Sequence, residues 1–178
     1  LVIGGSQGAR AINTIIKKAL PDFVQKYQIF HISGKLDFDN LKKWAEAERF
    51  RNYYLFAELA NDKIAYLMRK ASIIISRAGA TTITEIATSA KPAIIIPLPN
   101  SASDHQVENA KYLNKHEAAI VVDEKDLTTE LLGDIINKIL NSDLGHRLIF
   151  NIKALNQPQV AELIATLIIN NRSTNNET

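Results

Sequence analysis

Short apolar runs alternate with longer amphipathic stretches along most of the chain. Residues 1–4, 28–33, 52–56, 72–76, 93–97 and 118–122 each read as a short strand, and several are unbroken Ile/Val/Ala runs. Runs apolar on both faces fit parallel strands covered on both sides. Between them, residues 9–19, 38–48, 63–70, 82–89 and 106–115 repeat apolar positions at helical spacing. Residues 127–140 and 143–170 predict two or three consecutive helices, and residues 172–178 are a polar tail expected to fray. Six βα units with short connections predict an α/β fold, a Rossmann-like doubly wound parallel sheet with right-handed crossovers. Residues 1–171 are expected to form one domain.

In such a sheet, ligands sit outside the carboxyl ends of the strands. The predicted strand ends carry Gly4-Gly5-Ser6, His31-Ile32-Ser33-Gly34-Lys35, Phe56-Ala57-Glu58, Ser76-Arg77-Ala78-Gly79-Ala80-Thr81 and Pro97-Leu98-Pro99. Polar and glycine-rich residues therefore cluster where the architecture predicts a crevice.

Composition narrows the classes. A chain of 178 residues, 46% hydrophobic and 22% charged, can bury one substantial core. A net charge of +2 without a dense Lys/Arg block argues against nucleic acid as the main partner. The absence of cysteine removes disulfides and thiolate metal sites. No apolar run approaches the roughly 20 residues that span a bilayer. The chain starts within a strand and without methionine, so it is read as a piece of a longer protein.

Three motifs carry candidate chemistry. Gly4-Gly5-Ser6-Gln7-Gly8 lies between a strand and a helix, where glycines let backbone approach a ligand and free N–H groups favour an anion. It has neither the G-x-G-x-x-G spacing nor a Walker lysine. It does match the G-x-S-x-G nucleophile elbow of α/β-hydrolases, with His105, His116 and His146 as possible partners, and it could also be a plain tight turn. Ser76 to Glu85 repeats the glycine logic. Glu85 could accept from ribose hydroxyls or close a capping box with Thr82. Asp104, Gln106 and Asn109 form a polar group suited to sugar hydroxyls, although Ser103 and Gln106 also have capping-box spacing. His31, Trp44, Tyr53 and Tyr54 are expected to pack.

Taken together, Gly4-Gly5-Ser6-Gln7-Gly8-Ala9-Arg10, His31-Ile32-Ser33-Gly34-Lys35, Ser76-Arg77-Ala78-Gly79-Ala80 with Glu85-Ile86, Pro92 through Pro97, and Asp104-His105-Gln106 with Asn109-Ala110 resemble the C-terminal half of the MurG family. These are bacterial undecaprenyl-diphospho-muramoylpentapeptide β-N-acetylglucosaminyltransferases, of the glycosyltransferase family 28 type. The resemblance implies the donor-binding half of a GT-B fold. The donor would be UDP-N-acetylglucosamine, transferred with inversion to a lipid-linked muramyl pentapeptide in peptidoglycan synthesis. It implies no cofactor and no metal.

By position, Gly5, Ser6, Gln7 and Gly8 would lie by the diphosphate, and Gly79, Ala80 and Thr81 would cap it. Arg77 would be a neighbour of the phosphates. The main chain at Phe56 and Ala57 would read uracil, and Glu85 would grip ribose. Gln106 would contact the sugar, with Asp104 and Asn109 beside it. The acceptor site, the general base and the contacts with the cytoplasmic face of the inner membrane would belong to an N-terminal domain absent here. The family commonly has Phe-Ile-Asp-Asp-Met where this chain has Phe56-Ala57-Glu58-Leu59-Ala60, and often a glycine before the proline where this chain has Lys91-Pro92. Alternatives are another GT-B nucleotide-sugar:lipid transferase, a hydrolase using Ser6, and a non-catalytic nucleotide-binding subunit.

Overall fold

The structure, a computed structural model, describes residues 1–4, 9–99 and 104–156. Six strands form one sheet: β1 (Val2–Ile3), β2 (Ile29–Ile32), β3 (Tyr53–Phe56), β4 (Ile74–Ser76), β5 (Ala93–Ile95) and β6 (Ile120–Val121). Among the described residues, seven α-helices accompany them: α1 (Arg10–Phe23), α2 (Lys35–Glu48), α3 (Asn61–Lys70), α4 (Ala80–Ser89), α5 (His105–Lys115), α6 (Thr129–Asn141) and α7 (Leu144–Ala154). Every strand pairing is parallel, in the order β3-β2-β1-β4-β5-β6. The predicted doubly wound sheet is thus the observed one.

Alternation along each strand divides the core in two. Val2, Ile73, Ile75, Ile94 and Ile96 pack with Ile12, Ile16 and Leu20 of α1 and Leu132, Ile136 and Ile139 of α6. Ile3, Ile74 and Ile95 pack on the other face with Met68 of α3, Ile86 of α4 and Leu113 of α5. Each fully buried Ile or Leu contributes about 1.5–3 kcal/mol, so the helices are held chiefly by these two interleaved layers. α7 joins both, with Leu148 in the first cluster and Ile152 in the second.

The strands are shorter than the apolar runs, because the run ends lie beyond the paired ladder. Several helices begin earlier than their periodicity indicates. α2 starts at Lys35 rather than 38, α3 at Asn61 rather than 63, and α4 at Ala80 rather than 82. Their first turns consist largely of polar or small residues, which carry little apolar period. α1 continues past 19 through Pro21 to Phe23. Proline leaves the Lys17 carbonyl without its helical donor, but Lys17 and Pro21 lie on the exposed side, where water replaces it. α6 starts at Thr129, capped by Thr128, whose hydroxyl accepts from the Leu131 N–H at 3.1 Å. The predicted helix from 143 is seen as far as Ala154. Residues 157–170 and the tail at 172–178 lie outside the described residues.

Two helical glycines differ in what surrounds them. A Cβ on Gly145 would stand 2.6 Å from the Ile139 carbonyl oxygen, whereas one on Gly133 would meet only the Phe23 ring, at 3.8 Å. Gly145→Ala is therefore expected to destabilise the fold by about 1–3 kcal/mol. Gly133→Ala is expected to stabilise it by about 0.5–1 kcal/mol through helix propensity. Urea unfolding midpoints that move the same way for both variants would contradict this packing.

Candidate functional site

The strand order reverses between β1 and β4: β1, β2 and β3 extend one way, and β4, β5 and β6 the other. Helices diverge from the carboxyl ends at that point and leave a crevice. Gly4, just after β1, donates its N–H to the Ile32 carbonyl at 2.8 Å. A Cβ there would lie 3.2 Å from the Ala9 nitrogen, 3.2 Å from Ile32 O and 3.3 Å from Ser33 O, all backbone. The glycine is needed so that the chain can pass this close to β2. Gly5, Ser6, Gln7 and Gly8 follow it and lie outside the described residues, as do Asn100 to Ser103.

The helices that begin on either side of the reversal are α1 and α4. Neither N-cap, Ala9 or Gly79, makes a side-chain capping bond, and neither first turn holds an acidic residue. By contrast, α2, α3 and α6 carry Asp37, Asp62 and Glu130 in their first turns. Among the described residues, the positive dipole ends of α1 and α4 therefore face the crevice with no side-chain cap; the nearest acid to α1 is Asp37 of α2, 3.9 Å from the Arg10 guanidinium. Among the described residues, a Cβ on Gly79 would meet only Thr82 Oγ1, at 3.9 Å, so these leave that space open. Ala80 and Thr81 are exposed beside it.

The capping box between Thr82 and Glu85 does not form. α4 starts at Ala80 with Gly79 as its cap, which puts Thr82 inside the first turn. Glu85 is half-buried and makes no hydrogen bond or ion pair among the described residues. Ser103, the first residue of the second predicted box, lies outside the described residues. Asp104, in a left-handed conformation with φ 52°, occupies the N-cap of α5, and the Gln106 side-chain oxygen accepts from the Leu98 N–H at 3.1 Å.

Other predicted residues spend part of their capacity on the protein. Asn109 Nδ2 donates to the Ala78 carbonyl at 2.9 Å and so ties α5 to the loop before α4. The Phe56 carbonyl accepts from the Ser33 N–H at 3.0 Å, while the peptide groups of Ala57 have no partner among the described residues. Arg77 turns inward. Its Nη1 donates to Ile96 O at 3.1 Å and Pro97 O at 3.2 Å, and lies 2.7 Å from Glu124 Oε2. The last contact is an ion pair not aligned as a hydrogen bond, and it is what balances the buried Oε2. Arg77 therefore braces the ends of β4 and β5 against the turn at Glu124–Asp126.

Sequence reading missed Glu124, whose partner is remote along the chain, and Asn13. An asparagine among Ile12, Ile15 and Ile16 on the buried face of α1 was a usable sign. Asn13 is 2% exposed, and its Nδ2 donates to Ser33 O at 3.0 Å and Asp37 Oδ2 at 2.8 Å. Both partners only accept, which fixes the amide orientation. Asn13 Oδ1 must then accept from His31 Nε2 at 2.9 Å, and His31 Nδ1 accepts from the Tyr53 hydroxyl at 2.8 Å. His31 is neutral here. Burial, and then the nearby positive N-terminal amine, lower its pKa to about 3, while burial raises that of Tyr53. Tyr53, read as packing alone, is thus also a hydrogen-bond donor.

His116 follows α5 and His146 lies in α7, both exposed and at the pole of the sheet opposite the loop after Gly4. They cannot serve a nucleophile there; His105, the first residue of α5, lies at the crevice end, but Ser6 is outside the described residues, so the geometry lends the hydrolase alternative no support. An apolar cavity of about 530 Å³ also lies at that opposite pole, lined by Val2, Phe23, Ile29, Tyr66, Ile73 and Leu140. It has no part in a site at the carboxyl ends. Among the described residues, no His/Cys/Asp/Glu group is placed to hold a metal ion, and no helix is long and apolar enough to cross a membrane.

Comparison with known proteins agrees with this geometry. Residues 1–167 match the glycosyltransferase family 28 C-terminal domain. The chain is 38% identical over 143 residues to the UDP-N-acetylglucosamine--N-acetylmuramyl-(pentapeptide) pyrophosphoryl-undecaprenol N-acetylglucosamine transferase of Gloeothece citriformis, covering 80% of this chain and 38% of that protein. The protein of the same name from Anaeromyxobacter sp. is 37% identical over 169 residues, covering 93% of this chain and 43% of the relative. The crystal structure of Acinetobacter baumannii MurG superposes with a TM-score of 0.76 at 29% identity, covering 95% of this chain and 48% of that one. The chain thus spans less than half the length of each of these relatives.

The two crevice glycines should respond differently to alanine. Gly4→Ala is expected to cost about 1–3 kcal/mol, because backbone must move. Gly79→Ala should cost no more than about 1 kcal/mol, the scale of an N-cap change, while weakening pyrophosphate binding measured by calorimetry. Unchanged pyrophosphate affinity in Gly79→Ala would show that the space over α4 is unused.

His31 also predicts an acid response. Its folded-state pKa of about 3 lies below the ordinary 6.5, so the folded chain binds fewer protons between those values. The contribution is complete above pH 6.5 and is lost as pH falls toward 3, at up to about 1.4 kcal/mol per pH unit. From pH 7 to 5 the parent chain should lose about 2 kcal/mol more stability than His31→Gln in urea melts. Equal losses would mean that His31 is not held neutral by the fold.

Proposed function

The chain belongs to the glycosyltransferase family 28 C-terminal domain family, and from that premise we propose that it is the donor-binding half of an inverting UDP-N-acetylglucosamine transferase. The observation that carries the reading is the pair of helix N-termini, α1 and α4, on either side of the strand-order reversal, with no side-chain cap among the described residues and no acid in their own first turns. A diphosphate placed there meets two positive helix ends. In the transfer, an acceptor hydroxyl bonds to the anomeric carbon, the bond from that carbon to the phosphate oxygen breaks, and UDP leaves carrying the charge. Preorganised N–H groups at the two helix ends stabilise that charge without reorganisation.

The remaining roles follow the residues. Gly5, Ser6, Gln7 and Gly8 hold the diphosphate from the side of α1, and Gly79, Ala80 and Thr81 from that of α4. Glu85 accepts from the ribose hydroxyls. The free peptide groups of Ala57, next to Phe56, read the uracil edge. Asp104, Gln106 and Asn109 line the sugar subsite, with Gln106 and Asn109 already anchored to Leu98 and Ala78. Arg77 acts through the loops it braces. The acceptor is the lipid-linked muramyl pentapeptide. Its binding, the general base and the contact with the cytoplasmic membrane face belong to the half of the enzyme that this chain does not span.

Calorimetric titration of the chain with UDP and UDP-N-acetylglucosamine, with EDTA and with magnesium, tests the reading. Binding is expected in EDTA, and its absence under both conditions would sink the proposal. Glu85→Ala is expected to weaken UDP by about 1.5–3 kcal/mol, the scale of a hydrogen bond to a charged group, and to weaken deoxyuridine diphosphate less. A collapse in thermal stability with equal losses for both nucleotides would leave Glu85 a purely structural residue.

A further inference from the structure

The hydrogen bonds through Tyr53, His31, Asn13 and Asp37 run in one direction. Tyr53 donates to His31, His31 to Asn13, and Asn13 to the Asp37 carboxylate and the Ser33 carbonyl. Each proton is fixed by its acceptor, so the chain has one satisfied arrangement. His31 and Ser33 are 0% exposed and Asn13 is 2% exposed. Partial satisfaction of such a buried chain is costly, and full satisfaction makes it rigid. It also links specific elements. Asn13 sits at the end of the first turn of α1, His31 on β2, Tyr53 on β3 and Asp37 in the first turn of α2.

Asn13 is a poor helix former among isoleucines, and apolar packing would fill its place at lower cost. What an apolar residue cannot do is set the rotation and height of the first turn of α1 against the carboxyl end of β2. That turn presents the uncapped N–H groups described above. Hydrogen bonds to Ser33 O and Asp37 hold it from the side, while Gly4 packs where an added Cβ would meet both the Ala9 nitrogen and the same Ser33 carbonyl.

We propose that Asn13 is a positioning residue for diphosphate binding, held by His31 and Tyr53, which aims the N-terminus of α1 at the ligand. The proposal rests on the donor-site reading above. It assigns Asn13 no contact with the ligand. It predicts a loss confined to the charged part of the donor, since the uracil and ribose positions lie on β3 and α4.

The test compares UDP, uridine and pyrophosphate by calorimetry on the 178-residue chain and its variants, each held well below its own melting temperature. Asn13→Leu is expected to weaken UDP and pyrophosphate by about tenfold, the scale of an anion's interaction with a helix terminus, with uridine unchanged. His31→Gln, whose amide can still donate to Asn13, should stay close to the parent, and His31→Leu should follow Asn13→Leu. Tyr53→Phe, a milder change in case Asn13→Leu does not fold, should give a smaller loss of the same selectivity. If the parent binds UDP and the variants keep their affinity, or lose uridine and UDP alike, the positioning role is overturned alone. A parent chain that binds neither UDP nor pyrophosphate overturns the donor reading together with this proposal.

Discussion

Val2 and Ile3 pair with β2 on one side and β4 on the other, and the rest of the fold hangs on that double parallel pairing. A two-residue strand makes few hydrogen bonds, so its place is secured by burial. Val2 is 2% exposed and Ile3 6%, and each enters a different apolar layer. With β1 in the middle, the chain winds outward in both directions, and a crevice opens where the winding reverses. The close passage of Gly4 over β2 is a consequence of the same placement.

Two polar braces then hold the walls of that crevice. On the α1 side, the hydrogen-bond chain from Tyr53 to Asp37 joins α1, α2, β2 and β3. On the α4 side, Arg77 joins the ends of β4 and β5 to Glu124, while Asn109 joins α5 to Ala78. Buried polar groups are costly unless satisfied, so both braces are specific where apolar packing alone would tolerate small shifts. The helix ends facing the crevice are the opposite case. Among the described residues they carry no side-chain cap and no acid in their own first turns, which is unfavourable for an isolated fold and favourable for an anionic ligand.

The resemblance to family 28 enzymes and the physical reading meet at these helix ends. The matched family covers residues 1–167, nearly all of the chain. The described residues of the motifs that carry the resemblance lie on β1, β2, β4 and β5 and on the segments and helices that precede or follow them. Glu85, which the spacing left divided between a cap and a ribose ligand, is released from the cap because α4 starts two residues before the predicted position.

Much of this was legible from the residues alone. Apolar runs and helical periods are local properties, so the six strands, the main helices and the doubly wound class followed from them. The glycines at Gly4 and Gly79 marked close approach and open space, because a missing side chain is also a local fact. What the tertiary structure decided was the strand order, and with it which two loops face each other. Six similar Ile-rich strands do not encode their neighbours. It also decided the pairs made across long stretches of chain, Arg77 with Glu124 and Asn13 with His31, and the commitment of Gln106 to Leu98. A polar side chain's partner is set by packing in three dimensions, and no period along the chain records it.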